Sequence, residues 1–69
     1  MNRYIIIDSW LLAENPKMGI LASFNKKADC RNWIMDGLYG TEGAERDHYV
    51  DMLFQLDNGA KTIDYRRCG

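Results

Sequence analysis

The chain has little of what marks a secreted, metal-binding or catalytic small protein. Its 69 residues include two cysteines, one histidine and one proline. Two cysteines are too few for the disulfide framework of a small secreted domain. We therefore expect reduced thiols, with Cys30 packed as a small apolar residue. The alternative for Cys68, in the tail, is an intermolecular bridge.

The one histidine makes a metal site improbable on ligand count alone. On a helix, His48 and Asp51 would share a face, but a zinc site needs three or four ligands and the sequence has no further His and no paired Cys. We expect no metal site, and we expect His48 to lie on a solvated helix face.

Charge and hydropathy exclude further classes. Nine basic and ten acidic residues give a net charge of −1, which argues against a general nucleic-acid binder and against an acidic mimic of DNA. No apolar stretch reaches the length of a membrane span, and the N-terminus has no signal-peptide pattern. The chain is thus predicted to be soluble and cytoplasmic.

The sequence also lacks a catalytic signature. Ser9, Ser23 and the two cysteines are the available nucleophiles beside His48, and none lies in a glycine-flanked elbow. No pair of carboxylates stands apart by its spacing, and a domain of this size has little room for a water-excluding cleft. We predict that the protein is not an enzyme and needs no cofactor.

What the sequence does have is an unusually apolar first segment, residues 3–12. One alternating set is Ile5, Ile7 and Leu11, and the other is Tyr4, Ile6, Trp10 and Leu12. A strand with apolar residues on both faces is typical of a strand that is covered on both sides. Because a single small domain (residues 1–69) offers little cover, a second copy or a partner is expected to supply one side.

The rest of the chain predicts a second strand, a helix and a closing strand. Residues 13–19, with Asn15-Pro16 and a glycine, predict a turn, and residues 20–24 a strand antiparallel to the first. Asn25 is a candidate N-cap for a helix from 26 to 35 or 38. A glycine-rich loop is expected over residues 37–43, and residues 60–66 predict the third strand. The helix is predicted from its apolar stripe: Cys30, Trp33, Ile34, Gly37 and Leu38.

Residues 44–56 fit two structures. As a helix they form a stripe at i, i+3, i+4 and i+7, with Thr41 as a cap and Gly59 as a stop. As a strand, residues 50–56 alternate and 57–59 form a hairpin turn. We favour the helix on length. The predicted fold is then a small α+β domain, in which an antiparallel three-stranded sheet carries two helices on one face, in the order β-β-α-α-β.

Two groups of residues are candidate binding sites. The start of the first helix combines positive charge with free backbone amides, which suit a phosphate, but we favour a solvated lysine pair as the explanation. Aromatic residues and arginine dominate the energetics of protein interfaces, and they mark a second surface on the open sheet face and the third strand. The phosphate-directed group is Asn25, Lys26, Lys27 and Arg31, and the partner-binding group is Tyr4, Trp10, Tyr65 and Arg66.

The segment Gly43-Ala44-Glu45-Arg46-Asp47-His48-Tyr49-Val50, with Leu53, Leu56 and Asp57-Asn58-Gly59, resembles the tails of small accessory proteins of bacteriophages and mobile elements. The short chain with its small sheet and two helices is similar in layout to phage inhibitors of host defence, anti-CRISPR proteins included. The resemblance implies a non-catalytic inhibitor that occludes a bacterial defence component. The near-neutral charge departs from the strongly acidic character of many such inhibitors, which argues against DNA mimicry.

The sequence therefore predicts a non-catalytic protein that binds a macromolecule, with a protein partner favoured over nucleic acid. The alternatives are a phosphate-directed binder of nucleotide or RNA at the lysine pair, and a structural homodimer joined through the first strand.

Overall fold

The computed structural model describes residues 3–68, with the side chain of Cys68 outside the description, so the expectations for that thiol lie outside the described residues. Three strands, four α-helices and a 3₁₀ helix follow one another along this part of the chain. They are β1 (Tyr4–Ile7), α1 (Ser9–Glu14), α2 (Pro16–Gly19), β2 (Ile20–Phe24), α3 (Lys27–Tyr39), α4 (Gly43–Asp57), β3 (Thr62–Asp64) and the C-terminal 3₁₀ helix (Tyr65–Cys68).

The predicted α+β class is confirmed, and the sheet is mixed. Its strand order is β2-β1-β3. β2 runs antiparallel to β1, as expected, with Tyr4 opposite Phe24 and Ile6 opposite Ala22. β3 runs parallel to β1, with Ile6 opposite Ile63, so the expectation of a purely antiparallel sheet is wrong. The helices α3 and α4 carry the chain back across the sheet, which is the long crossover that a parallel pair requires.

The predicted first strand is too long, because Asp8 ends it. The Asp8 backbone is extended, and its carboxylate accepts hydrogen bonds from the backbone N–H groups of Trp10 and Leu11. These bonds satisfy the free donors of a helix start, so Trp10, Leu11 and Leu12 lie in α1. A local capping bond thus outweighs the alternation that predicted a strand.

The predicted turn over residues 13–19 contains a helical turn, α2. Asn15 caps it by accepting from Lys17 N–H, and Pro16 occupies its first position, where proline costs no hydrogen bond. Gly19 ends it directly against the backbone of Leu12, where a Cβ would collide. α1 and α2 therefore form a tight helical pair, and the Asp8 N–H donates to the Gly19 carbonyl at 2.8 Å.

Both long helices pack on one face of the sheet, as predicted. The buried residues of this core cluster come from β1, β3 and both helices: Ile6, Cys30, Ile34, Met52, Leu56 and Ile63. The ambiguous segment is helical, and Met52 and Leu56 of its predicted stripe are buried. On the other sheet face, Ile5 and Ile7 are only half-buried.

The ends of these elements differ from the prediction in detail. α3 starts after Lys26 with no side-chain cap, so Asn25 is not its N-cap. α4 starts after Glu42, and the Thr41 hydroxyl instead donates to the Gly37 carbonyl. The loop is shorter than expected, because α3 continues to Tyr39.

The last strand is also shorter than predicted, because it ends at Asp64 and the chain turns into the 3₁₀ helix. The expected stop at Gly59 is present: the C-cap of α4 is Asn58, and Gly59 follows with a φ of 96°, a conformation that glycine adopts without strain.

Candidate interaction site

The carboxyl ends of the parallel strands β1 and β3 bring two aspartates together. Asp8 directly follows β1, and Asp64 is the last residue of β3. Asp8 is only 4% exposed, and besides capping α1 it pairs with Arg66. Asp64 accepts at Oδ1 from the backbone N–H groups of Ser9 and Arg66, at 3.2 and 2.9 Å. The start of α1 and the C-terminal 3₁₀ helix are thus tied to the same end of the sheet.

Arg66 links the two aspartates. Its Nε lies 3.2 Å from Oδ1 and 3.1 Å from Oδ2 of Asp8, and the side chain is 32% exposed. Because Asp8 is nearly buried, this ion pair is shielded from water on the carboxylate side and is stronger than an exposed surface pair.

Gln55 of α4 joins the aspartates at this end of the sheet to the helix. Its side-chain amide donates to the Asp51 carboxylate and to the Asp64 carbonyl, both at 2.9 Å, and its carbonyl accepts from the Asp64 N–H at 3.0 Å. Gln55 is 4% exposed, and a buried amide of this kind needs such partners. We call Asp8, Asp51, Gln55, Asp64 and Arg66 the polar hub.

Three of the four predicted partner-binding residues meet at the hub. The Arg66 guanidinium carbon lies 4.6 Å from the centre of the Trp10 ring and 5.3 Å from that of the Tyr65 ring, within the range of cation–π attraction. Trp10 nevertheless stays 66% exposed. The chain therefore holds a large aromatic side chain in place at its surface.

Tyr4 does not belong to this group. It is half-buried and packs against the core cluster, whereas Trp10 lies beyond the end of β1 in α1. The expectation that Tyr4 and Trp10 share an open sheet face is wrong, because the strand alternation that related them stops at Asp8.

The expectation that His48 lies on a solvated helix face is wrong, because its side chain packs against Tyr65. Its ring stacks on Tyr65 with 4.4 Å between the centroids, and its Nδ1 donates to the Tyr65 carbonyl at 2.7 Å. Tyr65 also meets the edge of Tyr49 at 5.8 Å. His48 therefore fixes the start of the 3₁₀ helix, and no metal-binding group of three or more His, Cys, Asp or Glu side chains occurs among the described residues.

Several exposed apolar side chains lie close together in the chain, and one of them, Trp10, contacts the hub. Among the described side chains, seven large hydrophobic ones are exposed, and four of them lie on α1, α2 and the start of β2. The helices α1 and α2 contact each other directly. We call these four the apolar surface: Trp10, Met18, Ile20 and Leu21. The other three are Tyr39, at the end of α3, and Val50 and Phe54, one turn apart on α4. Sequence patterns missed Met18, Ile20 and Leu21 as surface residues.

The predicted phosphate-directed residues do not form a cluster of free positive charges. Asn25, Lys26 and Lys27 are exposed around the start of α3, but Arg31 pairs with Asp57 of α4 at 3.6 Å. Arg66 is held by Asp8, and Arg67 lies 3.8 Å from Asp51. The lysine pair is therefore not enlarged into a basic cluster by these arginines.

The surface formed by residues 3–68 includes two open depressions of interest. The larger, at the junction of α3 and α4, is lined by residues 38–42 with Glu45 and Arg46. The smaller, which we call the β2–α3 groove, has two aromatic and three polar lining residues: Phe24, Asp29, Asn32, Trp33 and Asp36. The sequence pattern relates Trp33 only to the apolar stripe of the helix.

The thiol of Cys30 is buried. Burial raises the pKa of this thiol above its ordinary value, as expected for a thiol packed among apolar side chains.

None of the helices in residues 3–68 is long and apolar enough to cross a membrane.

No protein family, no curated protein and no solved structure matches this chain. The resemblance to phage and mobile-element accessory proteins is not tested by these comparisons, and it stays a prediction.

Proposed function

We propose that the protein is a non-catalytic binding protein that contacts a protein partner through the apolar surface, with Trp10 as its central residue. The observation that carries this proposal is the 66% exposure of a tryptophan whose position is nevertheless fixed by its own chain. Tryptophan is among the residues that contribute most to binding energy at protein interfaces.

The fixed position of Trp10 indicates a role in binding and not an exposure without function. Its backbone N–H is bonded to Asp8 at 3.0 Å, and Arg66 lies over its ring. A side chain that is already held loses little conformational freedom when a partner covers it. Met18, Ile20 and Leu21 add exposed apolar area nearby in the chain, and such area marks contact sites when it is concentrated.

The engagement of the polar groups supports a role in contact and not in chemistry. The hub carboxylates accept hydrogen bonds from their own chain, His48 Nδ1 donates to a backbone carbonyl, and the Cys30 thiol is buried. These groups hold the fold together, which leaves the apolar surface as the best-formed feature for a function.

For the partner, we propose a component of a bacterial defence system, and for the effect, inhibition by occlusion. The support is the resemblance to phage and mobile-element proteins together with a net charge of −1, which suits the covering of a protein surface better than the imitation of DNA.

A plating assay tests this proposal. Bacteria with an active CRISPR system would express the chain and be challenged with a phage that the system targets. We expect the chain to restore plaque formation, and the double variant Trp10→Ala/Ile20→Ser to lose this effect. The matched control Val50→Ala/Phe54→Ser removes exposed apolar area from α4 and should keep it. An equal loss in both variants, or no restoration with any defence system tried, contradicts the proposal.

Light scattering on the same variants tests the homodimer. If the unchanged chain is a stable dimer and Trp10→Ala/Ile20→Ser is a monomer, a second copy covers the apolar surface and the proposed external partner is wrong. A monomer at all concentrations keeps that surface open to another protein.

A further inference from the structure

The β2–α3 groove has a chemical character of its own. Phe24 closes β2, and the four α3 residues lie at i, i+3, i+4 and i+7 from Asp29. This spacing places them on one face of the helix. The groove thus has aromatic rings from two elements and carboxylates at both ends of its helical side.

The aromatic rings are held in place. Phe24 and Trp33 are half-buried and pack against the core cluster. The Trp33 ring also lies 6.2 Å from Tyr49, tilted by 44°. The rings therefore present fixed surfaces to the groove, which is the arrangement that favours stacking of a flat group.

The carboxylates of the groove have no partner within residues 3–68. Asp29 and Asp36 take part in none of the ion pairs of this part of the chain, and their side chains accept no hydrogen bond there. Arg31, which lies between the two aspartates in the sequence of α3, is paired with Asp57. Lys26 and Lys27 precede Asp29 at the exposed start of the helix. The groove itself is lined by two negative charges and by no positive one.

We propose that the β2–α3 groove binds an arginine side chain carried by an extended, basic segment of a protein partner. A guanidinium group stacks on aromatic faces and donates several hydrogen bonds in one plane, so it satisfies the rings and the carboxylates together. A lysine ammonium is a compact, strongly hydrated charge and matches only the carboxylates.

The backbone next to the groove suits an extended segment. β2 is an edge strand of the sheet, and such an edge can pair with an added strand whose alternate side chains enter neighbouring pockets. The groove lies at the Phe24 end of β2, whereas Ile20 and Leu21 of the apolar surface lie at its start. The groove thus shares no lining residue with the apolar surface, and this proposal does not depend on the contact proposed above.

Titration calorimetry with a short capped peptide, in which arginine alternates with valine, tests the site. Two control peptides show which property of arginine is recognised. Lysine in place of arginine keeps the positive charge without the planar guanidinium group, and glutamine removes the charge. We expect the arginine peptide to bind with one-to-one stoichiometry, the lysine peptide several-fold more weakly, and the glutamine peptide not at all. The arginine peptide should also shift the indole N–H resonance of Trp33.

Two charge-matched variants separate the groove from the general field of the protein. Asp29→Asn/Asp36→Asn should weaken arginine-peptide binding at least about tenfold. Asp47→Asn/Glu14→Gln removes two exposed carboxylates outside the groove and should change it less than about twofold. Equal affinities for the arginine and lysine peptides, or equal losses in the two variants, would overturn the proposal. A loss of plating activity with intact peptide binding would instead count only against the apolar surface.

Discussion

Aspartate side chains have opposite roles in the polar hub and in the β2–α3 groove. At the hub, Asp8 and Asp64 direct their carboxylates at backbone N–H groups and at Arg66. In the groove, Asp29 and Asp36 meet no cation of their own chain within the described residues. A partnered carboxylate stabilises a fold, whereas a free one keeps its binding capacity for another molecule. Burial and partners, and not residue type, therefore decide what each aspartate does.

The largest expected difference is between Asp8→Ala and Asp29→Ala. Asp8→Ala removes an N-cap and leaves Arg66 without its nearly buried partner, so it should cost about 2–4 kcal/mol of the free energy of unfolding. Asp29→Ala removes only a favourable charge in the first turn of α3 and should cost less than about 1 kcal/mol. Urea denaturation of both variants measures the difference, and equal losses would remove the distinction between hub and groove.

The next effect is expected at Gln55, which joins α4 to the end of β3. Gln55→Leu keeps the volume but leaves the Asp64 N–H and carbonyl without their side-chain partners, at a cost of about 1–3 kcal/mol. Asn58→Ala is the matched control, because the Asn58 amide donates to Phe54 at an exposed site. If Asn58→Ala destabilises as much as Gln55→Leu, burial does not explain the contribution of the hub hydrogen bonds to the free energy of unfolding.

The sequence predicted the hydrophobic framework of this fold better than its polar one. The apolar spacing of Cys30, Ile34, Met52 and Leu56 correctly indicated two helices with buried stripes, because a core face repeats with the helical period. The pairing of β2 with β1 followed from their closeness in the chain. The parallel partner β3 did not, since its position depends on the crossover through α3 and α4.

The missed features depend on single polar contacts. Asp8 followed by Ser9 is a helix-start pattern, but the apolar residues on both sides of it predict one continuous strand. The Arg66–Asp8 pair joins residues 58 positions apart, and no local pattern relates them. Of the predicted partner-binding residues, Trp10, Tyr65 and Arg66 lie together in the structure. The groove combines a strand end with a helix face, so its prediction needs the tertiary structure.

A buried thiol offers a smaller, pH-dependent effect that contrasts with both aspartate sites. Burial raises the pKa of Cys30 above its ordinary value of 9.0, so the folded state holds this proton more tightly than the unfolded state. The stability contribution is complete below about pH 9 and is lost as the pH rises through the folded pKa, with a slope of at most about 1.4 kcal/mol per pH unit.

Denaturation between pH 8 and about pH 10.5 in a Cys68→Ser background measures this slope. Cys30→Ala in the same background should reduce it. Tyr49 contributes to the part that remains, because its pKa is raised by burial and by the nearby Tyr65 and Glu45 side chains. An unchanged slope after Cys30→Ala would show that the thiol is accessible to water.

The smallest expected effect has the opposite sign. Asp36 lies in the last turn of α3, where a negative charge opposes the helix dipole. Asp36→Asn should therefore stabilise the chain by a few tenths of a kcal/mol while weakening arginine-peptide binding. Thermal melting detects the gain, and a clear loss of stability would mean that the Asp36 carboxylate has a structural partner.

One measurement compares the two aspartate sites most directly: the free energy of unfolding with and without the arginine peptide. A ligand that binds only the folded state adds stability according to its concentration and affinity. We predict that Asp8→Ala lowers the stability and keeps the increment from the peptide, whereas Asp29→Asn/Asp36→Asn keeps the stability and loses the increment. If both variants lose stability and increment together, the division between a carboxylate cluster that holds the fold and one that is free for a partner is wrong.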